Sequence, residues 1–193
     1  MPSPICVSVV SRMPCKVWVY LTRTASPQKM SHGLLDAALR RWAGECGVAE
    51  DLSVVRPQYQ KPYLAKLRDV DVSVSRSGTY WACAISAQKI GLDLQQENFA
   101  GTERITRRFL HPNERSFLEA YPEEFFKVWT AKESYVKLTG VGVTDQFGDF
   151  SVAENGKLKE TLDGYQFRYL DAPQGYTMCL CGKETGEITV QWI

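Results

Sequence analysis

Asp93, Glu133 and Lys137 are the residues whose types and spacing in this chain could do chemistry. Asp93 lies in the stretch Ile90-Gly91-Leu92-Asp93-Leu94-Gln95. Read as a strand, this puts Ile90, Leu92 and Leu94 on one face and Gly91, Asp93 and Gln95 on the other. A carboxylate beside a glycine suits a hard cation, with the glycine letting backbone and ligand come close. A solvent-facing aspartate on a half-exposed strand would read the same way. Glu133 and Lys137 lie in a segment whose spacing predicts a helix over 123–139. At about 100° per residue, Phe125, Val128, Trp129, Tyr135 and Val136 form its apolar stripe. Lys132 falls near the middle of that stripe and Glu133 between Trp129 and Phe126, where unpaired charge is costly. Glu133 has two readings. It can bridge Lys137 four residues on, a pair worth a few tenths of a kcal/mol, or it can meet Asp93 across a shared Mg²⁺. The second explains both the burial and the sign of the charge.

A further group is Ser75-Arg76-Ser77-Gly78, read as a tight turn, with Lys61-Pro62 upstream. Serine hydroxyls, turn amides and an Arg fork suit a phosphate, although an ordinary hairpin with an exposed Arg has the same sequence. From Arg56 to Arg76 five basic residues stand against Asp69 and Asp71, a mild excess that suits a phosphorylated ligand. Other chemistries are poorly served. The only histidines are His32 and His111, neither in a motif that supports a Ser-His-Asp triad or a His-based metal site. The six cysteines include no CxxC pair and fit no zinc spacing. Cys83, in an apolar run, reads as a buried thiol, and no disulfide framework is expected.

These residues have to be positioned by a folded frame, and the composition permits one. The chain has 193 residues, 44% hydrophobic and 23% charged, enough for one large domain or two of about 95 residues. A net charge of +1 argues against a nucleic-acid partner held by bulk charge. No apolar run reaches the roughly 18 residues of a membrane span. Met1-Pro2-Ser3-Pro4 lacks a basic n-region, so no signal peptide is expected and a reducing cytoplasm is the default. Strands are expected over 5–10, 15–21, 70–75, 79–86, 89–94, 150–152, 164–170, 176–181 and 188–192. Helices are expected over 31–43, capped by Ser31 and ended by Gly44 or Gly47, and over 102–110, 113–120 and 122–139. The order is β, α, β, β, then β, α, β, β, β, with the joint near 87–89 and no convincing residue-level repeat.

Taken in order, Lys61-Pro62, Ser75-x-Ser77-Gly78, Ile90-Gly91-Leu92-Asp93 and Trp129-Thr130-x-Lys132-Glu133-Ser134-x-x-Lys137 resemble the Sfp-type 4′-phosphopantetheinyl transferases. The resemblance runs from about residue 61 to 181 and is longest over 125–142. It implies an α/β (α+β) fold of two pseudo-symmetric subdomains, 1–88 and 89–193, each a small antiparallel sheet packed on a helix, with coenzyme A between them. It implies transfer of the phosphopantetheine arm of coenzyme A to a serine of a carrier protein, with release of adenosine 3′,5′-bisphosphate. Asp93 and Glu133 would be the Mg²⁺ ligands. Lys137 would contact the pyrophosphate, and Lys61, Ser75 and Arg76 the nucleotide end.

The chain departs from the family's pattern at three places. Gln95 stands where many relatives have a third acid, so an amide oxygen or water would fill that metal place. Arg76 stands where relatives often have His. The basic helix that longer members place after the first strand is missing, and Lys29, His32 and Arg40 are the candidates to replace its phosphate contacts. The expected protein is a cytoplasmic monomer whose partner is an apo acyl or peptidyl carrier protein of fatty-acid, polyketide or nonribosomal-peptide synthesis. Acidic carrier helices would suit Arg104, Arg107 and Arg108, which also read as a plain solvated face. The competing expectations are a non-catalytic coenzyme A or carrier-protein binding module derived from such an enzyme, and another Mg²⁺-dependent transferase acting on a nucleotide diphosphate.

Overall fold

The computed structural model describes residues 16–58, 60–140, 145–183 and 186–193; the strand expected over 5–10 lies outside them. In chain order the elements begin with β1 (Val17–Arg23), α1 (Pro27–Cys46), the short strands β2 (Val54–Val55) and β3 (Tyr63–Leu64), and the hairpin β4 (Asp71–Ser77)–β5 (Tyr80–Ser86). Strand β6 (Ile90–Gln96) leads to three helices, α2 (Thr102–Phe109), α3 (Pro112–Ala120) and α4 (Phe125–Thr139). The short strands β7 (Ala153–Glu154), β8 (Lys157–Leu158) and β9 (Thr161–Leu162), the hairpin β10 (Tyr165–Leu170)–β11 (Tyr176–Gly182), and β12 (Ile188–Trp192) follow.

Strand β1 is apolar on both faces, and that dictates the layering. Trp18 and Tyr20 join Trp81, Cys83 and Ile85 of β5 against Leu35, Leu39 and Trp42 of α1. Val17, Val19 and Leu21 face the other way, meeting Ile90, Leu92 and Leu94 of β6 and Met178 and Leu180 of β11. A third core joins Phe167, Cys179 and Cys181 of the second sheet to α3 and α4 through Phe117, Phe126 and Ala131. The order of layers is therefore helix, sheet, sheet, helices.

Three strands of each sheet, β1-β5-β4 and β6-β11-β10, repeat one topology. The first runs β12-β1-β5-β4 and the second β6-β11-β10-β9. In each half, a strand is followed by a covering helix and a hairpin whose last strand pairs back to the first. The expected pair of similar α+β halves is what the chain forms. One pairing is not antiparallel: β12 runs parallel to β1, so the final strand of the chain crosses back to the first sheet.

Helix α1 starts earlier than the apolar spacing suggests. Ser26 precedes Pro27 at the first helical position, where the missing N–H of proline has no partner to lose. Gly47, with φ 66°, closes the helix in the left-handed conformation. Ser31 is no cap. It is buried within the helix, and its Oγ accepts a hydrogen bond of 3.0 Å from Trp81 Nε1. Ser31→Ala is expected to leave helix content unchanged in circular dichroism, yet to lower stability by about 1–3 kcal/mol in urea unfolding by stranding a buried indole N–H. A neutral substitution would contradict this assignment.

Where β4 and β6 meet, side chains replace a backbone ladder. Asp71, Ser73, Ser75 and Ser77 alternate along β4. They accept hydrogen bonds of 2.8–3.0 Å from the N–H groups of Ile90, Leu92, Leu94 and Gln96. The two halves are thereby joined edge to edge at the point where Asp93 sits. Two residues before Asp93 on the same face of β6, a Cβ at Gly91 would lie 1.8 Å from the Ser134 carbonyl. Only glycine lets α4 pack this close, and that contact lays the helix bearing Glu133 and Lys137 over Asp93.

Candidate active site

Asp93 is 4% exposed, because the face of β6 that it shares with Gly91 is covered by α4 and does not meet solvent. Its Oδ1 receives Lys137 Nζ at 2.7 Å and the Ser75 hydroxyl at 2.8 Å. Its Oδ2 is buried and has no hydrogen-bond partner. Lys137 donates also to Ser75 Oγ at 3.0 Å and to the Leu92 carbonyl at 3.1 Å. The helical Glu133–Lys137 bridge is not formed; the ammonium goes to Asp93 instead. Glu133 is 9% exposed. Burial, and then the negative charge of Asp93, push its carboxyl up to about 7 against the pull of Lys137. Two carboxylates thus share one pocket with a single lysine.

This donor set fits a hard divalent cation. A buried carboxylate oxygen with no hydrogen-bond partner, beside a second buried carboxylate, supplies the kind of oxygen ligands that such an ion takes. Among the described residues no third acid, His or Cys completes a cluster. Gln95, two residues beyond Asp93 and half-buried, is on the same face of β6 and offers an amide oxygen.

A groove of about 930 Å³ runs between α1, the segment 56–63, β4 and the end of α4. Arg56, Lys61, Arg76, Lys89 and Lys137 line it, with Asp71 its only acid among the described residues. Asp71 is already matched by Lys61 at 2.6 Å, and Arg56 by Asp36 at 2.7 Å. Arg76 and Lys89 have no ion-pair partner among the described residues. Tyr63, with the Arg68 guanidinium 3.9 Å from its ring centroid, contributes an aromatic wall. The groove suits an elongated anionic ligand carrying an apolar part, and Lys137 links it to the carboxylate pair.

The structure separates residues that the sequence groups together. Ser75 is 4% exposed and belongs with Asp93 and Lys137, whereas Arg76 projects from the other face of β4 into the groove. The turn amide of Thr79 is taken by the Tyr176 hydroxyl at 3.2 Å, and Ser77 by the seam. Lys61 bonds the Ile90 carbonyl at 2.7 Å as well as Asp71, so it braces β4 against β6 while lining the groove. His32 lines the groove too; Arg40 borders a separate hollow of about 380 Å³, and Lys29 borders neither. Lys132 does not share in the Asp93 site. It is fully buried, 2.7 Å from Glu114, donates to the Phe150 carbonyl at 2.6 Å and lies over the Phe150 ring. Glu114 also accepts from Val152 N–H and His111 N–H, tying α3 to α4 and the 150–152 segment. Sequence reasoning missed Glu114, Tyr63 and Lys89 as members of these networks; only the basic character of Lys89 was visible in advance.

Comparison with known proteins gives the same family as the motifs. Residues 89–181 match the model of the 4′-phosphopantetheinyl transferase superfamily. A 4′-phosphopantetheinyl transferase of Bacillus subtilis is 33% identical over 135 residues, covering 64% of this chain and 60% of the relative. The 4′-phosphopantetheinyl transferase Sfp of Bacillus subtilis strain 168 is 30% identical over 142 residues, covering 68% and 63%. The 4′-phosphopantetheinyl transferase gsp of Aneurinibacillus migulanus is 29% identical over 111 residues, covering 55% and 46%. The chain thus spans about 60% of the length of the first two relatives. Across the region that these similarities cover, the chain is similar to the 4′-phosphopantetheinyl transferases, the family that its motifs resemble.

Proposed function

We propose that this protein transfers the 4′-phosphopantetheine arm of coenzyme A to a serine of an apo acyl or peptidyl carrier protein, with Mg²⁺, as a monomer in the cytoplasm. The observation that carries the proposal is the buried pair Asp93 and Glu133, with one orphaned oxygen, at the end of a basic groove that Lys137 shares. The carrier serine attacks the phosphorus nearer the pantetheine. The bond from that phosphorus to the bridging oxygen breaks, and adenosine 3′,5′-bisphosphate leaves. Asp93 and Glu133, with Gln95 or water in the third place, would hold Mg²⁺, which when bound neutralises pyrophosphate charge and polarises its phosphorus–oxygen bonds. Glu133 accepts the serine proton, directly or through water. Lys137 turns its ammonium to the pyrophosphate. Arg76 and Lys61 hold the nucleotide end, and Ser75 orients Asp93 from beneath. The exposed Arg104, Arg107 and Arg108 of α2 offer an acidic carrier helix a basic face. No protein nucleophile is required, consistent with the scarcity of histidine.

Incubation with coenzyme A, Mg²⁺ and a panel of apo carrier proteins tests this reading, which expects a mass gain of one phosphopantetheine on at least one carrier. Coenzyme A binding with no gain on any carrier would point instead to a binding module. Within the reading, Arg76→Ala is expected to raise KM for coenzyme A roughly ten- to hundredfold, the loss of one charge-assisted contact, and to change KM for dephospho-coenzyme A far less. Equal losses for both would remove Arg76 from the 3′-phosphate.

A further inference from the structure

Lys137 is placed unlike a residue kept only for an incoming ligand. Its ammonium is bound by three oxygens: Asp93 Oδ1, Ser75 Oγ and the Leu92 carbonyl, at 2.7, 3.0 and 3.1 Å. Ser75 is itself fixed, accepting from Leu94 N–H at 3.0 Å and donating to Asp93. The carboxylate is nearly enclosed, at 6% side-chain exposure, whereas the lysine side chain is 23% exposed and lies along the groove. Lys137 can therefore leave by the open side without disturbing the core, and Asp93 cannot move with it.

We infer that Lys137 is a resident counter-ion, which occupies Asp93 in the metal-free protein and competes with the divalent cation for that carboxylate. The inference rests on the metal reading of Asp93 and Glu133 given above. A buried carboxylate without a compensating charge is strongly disfavoured, and Lys137 supplies that charge when no metal is bound. A cation entering beside Oδ2 then meets a positive charge a few ångströms away, and like charges at that range repel strongly in a partly buried site. An anionic ligand in the groove offers Lys137 another partner and draws it off Asp93. Metal and anionic ligand consequently bind with positive coupling, which is reciprocal.

The test is Mn²⁺ binding to the full chain, without coenzyme A, followed by electron paramagnetic resonance of the free ion. Lys137→Met is expected to bind Mn²⁺ at least about tenfold more tightly than wild type, the reverse of what loss of a site residue usually does. Lys137→Gln, which keeps a donor for Leu92 and Asp93 but drops the charge, covers the chance that the methionine variant fails to fold, and is expected to show the same tightening. Lys137→Arg, which keeps the charge, is expected to stay near wild type. Equal or weaker binding in both neutral variants, or equal tightening in Lys137→Arg, would overturn the counter-ion role while leaving the metal site standing. Absence of Mn²⁺ binding in wild type and every variant would instead overturn the metal reading, and the inference with it.

Discussion

Asp93→Asn is expected to lower the transfer rate at least about thousandfold, a barrier increase of about 4 kcal/mol, and to lower the melting temperature as well. The substitution keeps the shape of the side chain and removes the charge. An amide oxygen can still accept from Lys137 and Ser75, but the other position, where Oδ2 has no partner, becomes an NH₂ group, a buried donor where an acceptor stood. Lys137 loses its counter-charge, although at 23% side-chain exposure it can turn to water. The stability loss is therefore smaller than the 3–5 kcal/mol typical of a fully buried broken pair, about 1–3 kcal/mol. Single-turnover transfer and thermal unfolding, run on one preparation, measure both. A variant with wild-type rate at limiting Mg²⁺ would remove Asp93 from the metal site. Asp93 faces away from the apolar side of its strand, yet it is 4% exposed, which is why a structural cost is expected. Helix α4 covers that other face.

Glu133→Gln should move stability the opposite way. In the metal-free protein the Glu133 carboxyl is raised from 4.5 to about 7, chiefly by burial and next by the charge of Asp93. For an acid raised on folding, the protonated form favours the native state. That contribution is complete below pH 4.5, is lost as pH rises through about 7, and amounts to about 3 kcal/mol. Glutamine keeps the neutral state at every pH. Without divalent ions the variant is thus expected to melt above wild type at pH 8 and close to it at pH 4.5. Its transfer rate is expected to fall at least about hundredfold, roughly 3 kcal/mol of barrier, because an amide binds the cation poorly and accepts no proton. A structural salt bridge cannot give higher stability together with lost activity. A lower melting point at pH 8 with activity retained would make Glu133 an ordinary helix charge.

The repeated α+β halves and the carboxylate pair were legible because each rests on local periodicity: period two in 90–95 and period 3.6 in 123–139. What was not legible depends on distant partners. Lys132 and Glu133 are adjacent intruders on one apolar stripe, and nothing local distinguishes them. Glu114, eighteen positions away on another helix, claims Lys132 for the core. The polar alternation of Asp71, Ser73, Ser75 and Ser77 was in plain view, but it reads as a solvated strand face until β6 is laid beside it. That is why Ser75 belongs to Asp93 while its neighbour Arg76 serves the groove. The early start of α1 lies outside the apolar periodicity. Pro27 opens the helix ahead of the first apolar repeat, whereas the hydroxyl of Ser31, the expected cap, has a core partner in Trp81. The parallel pairing of β12 with β1 joins residues more than 160 positions apart, with no turn to set its register.

If the carboxylate pair and the basic groove act together to split coenzyme A and load a carrier, as proposed, the two products must form in step. The most direct measurement follows a single mixture of protein, coenzyme A, Mg²⁺ and apo carrier by intact mass and by nucleotide chromatography together. One adenosine 3′,5′-bisphosphate is expected for each phosphopantetheine gained by the carrier, with both stopped by chelation and restored by added Mg²⁺. Coenzyme A that stays intact beside an unmodified carrier, or transfer that proceeds unchanged in chelator, would contradict the proposal.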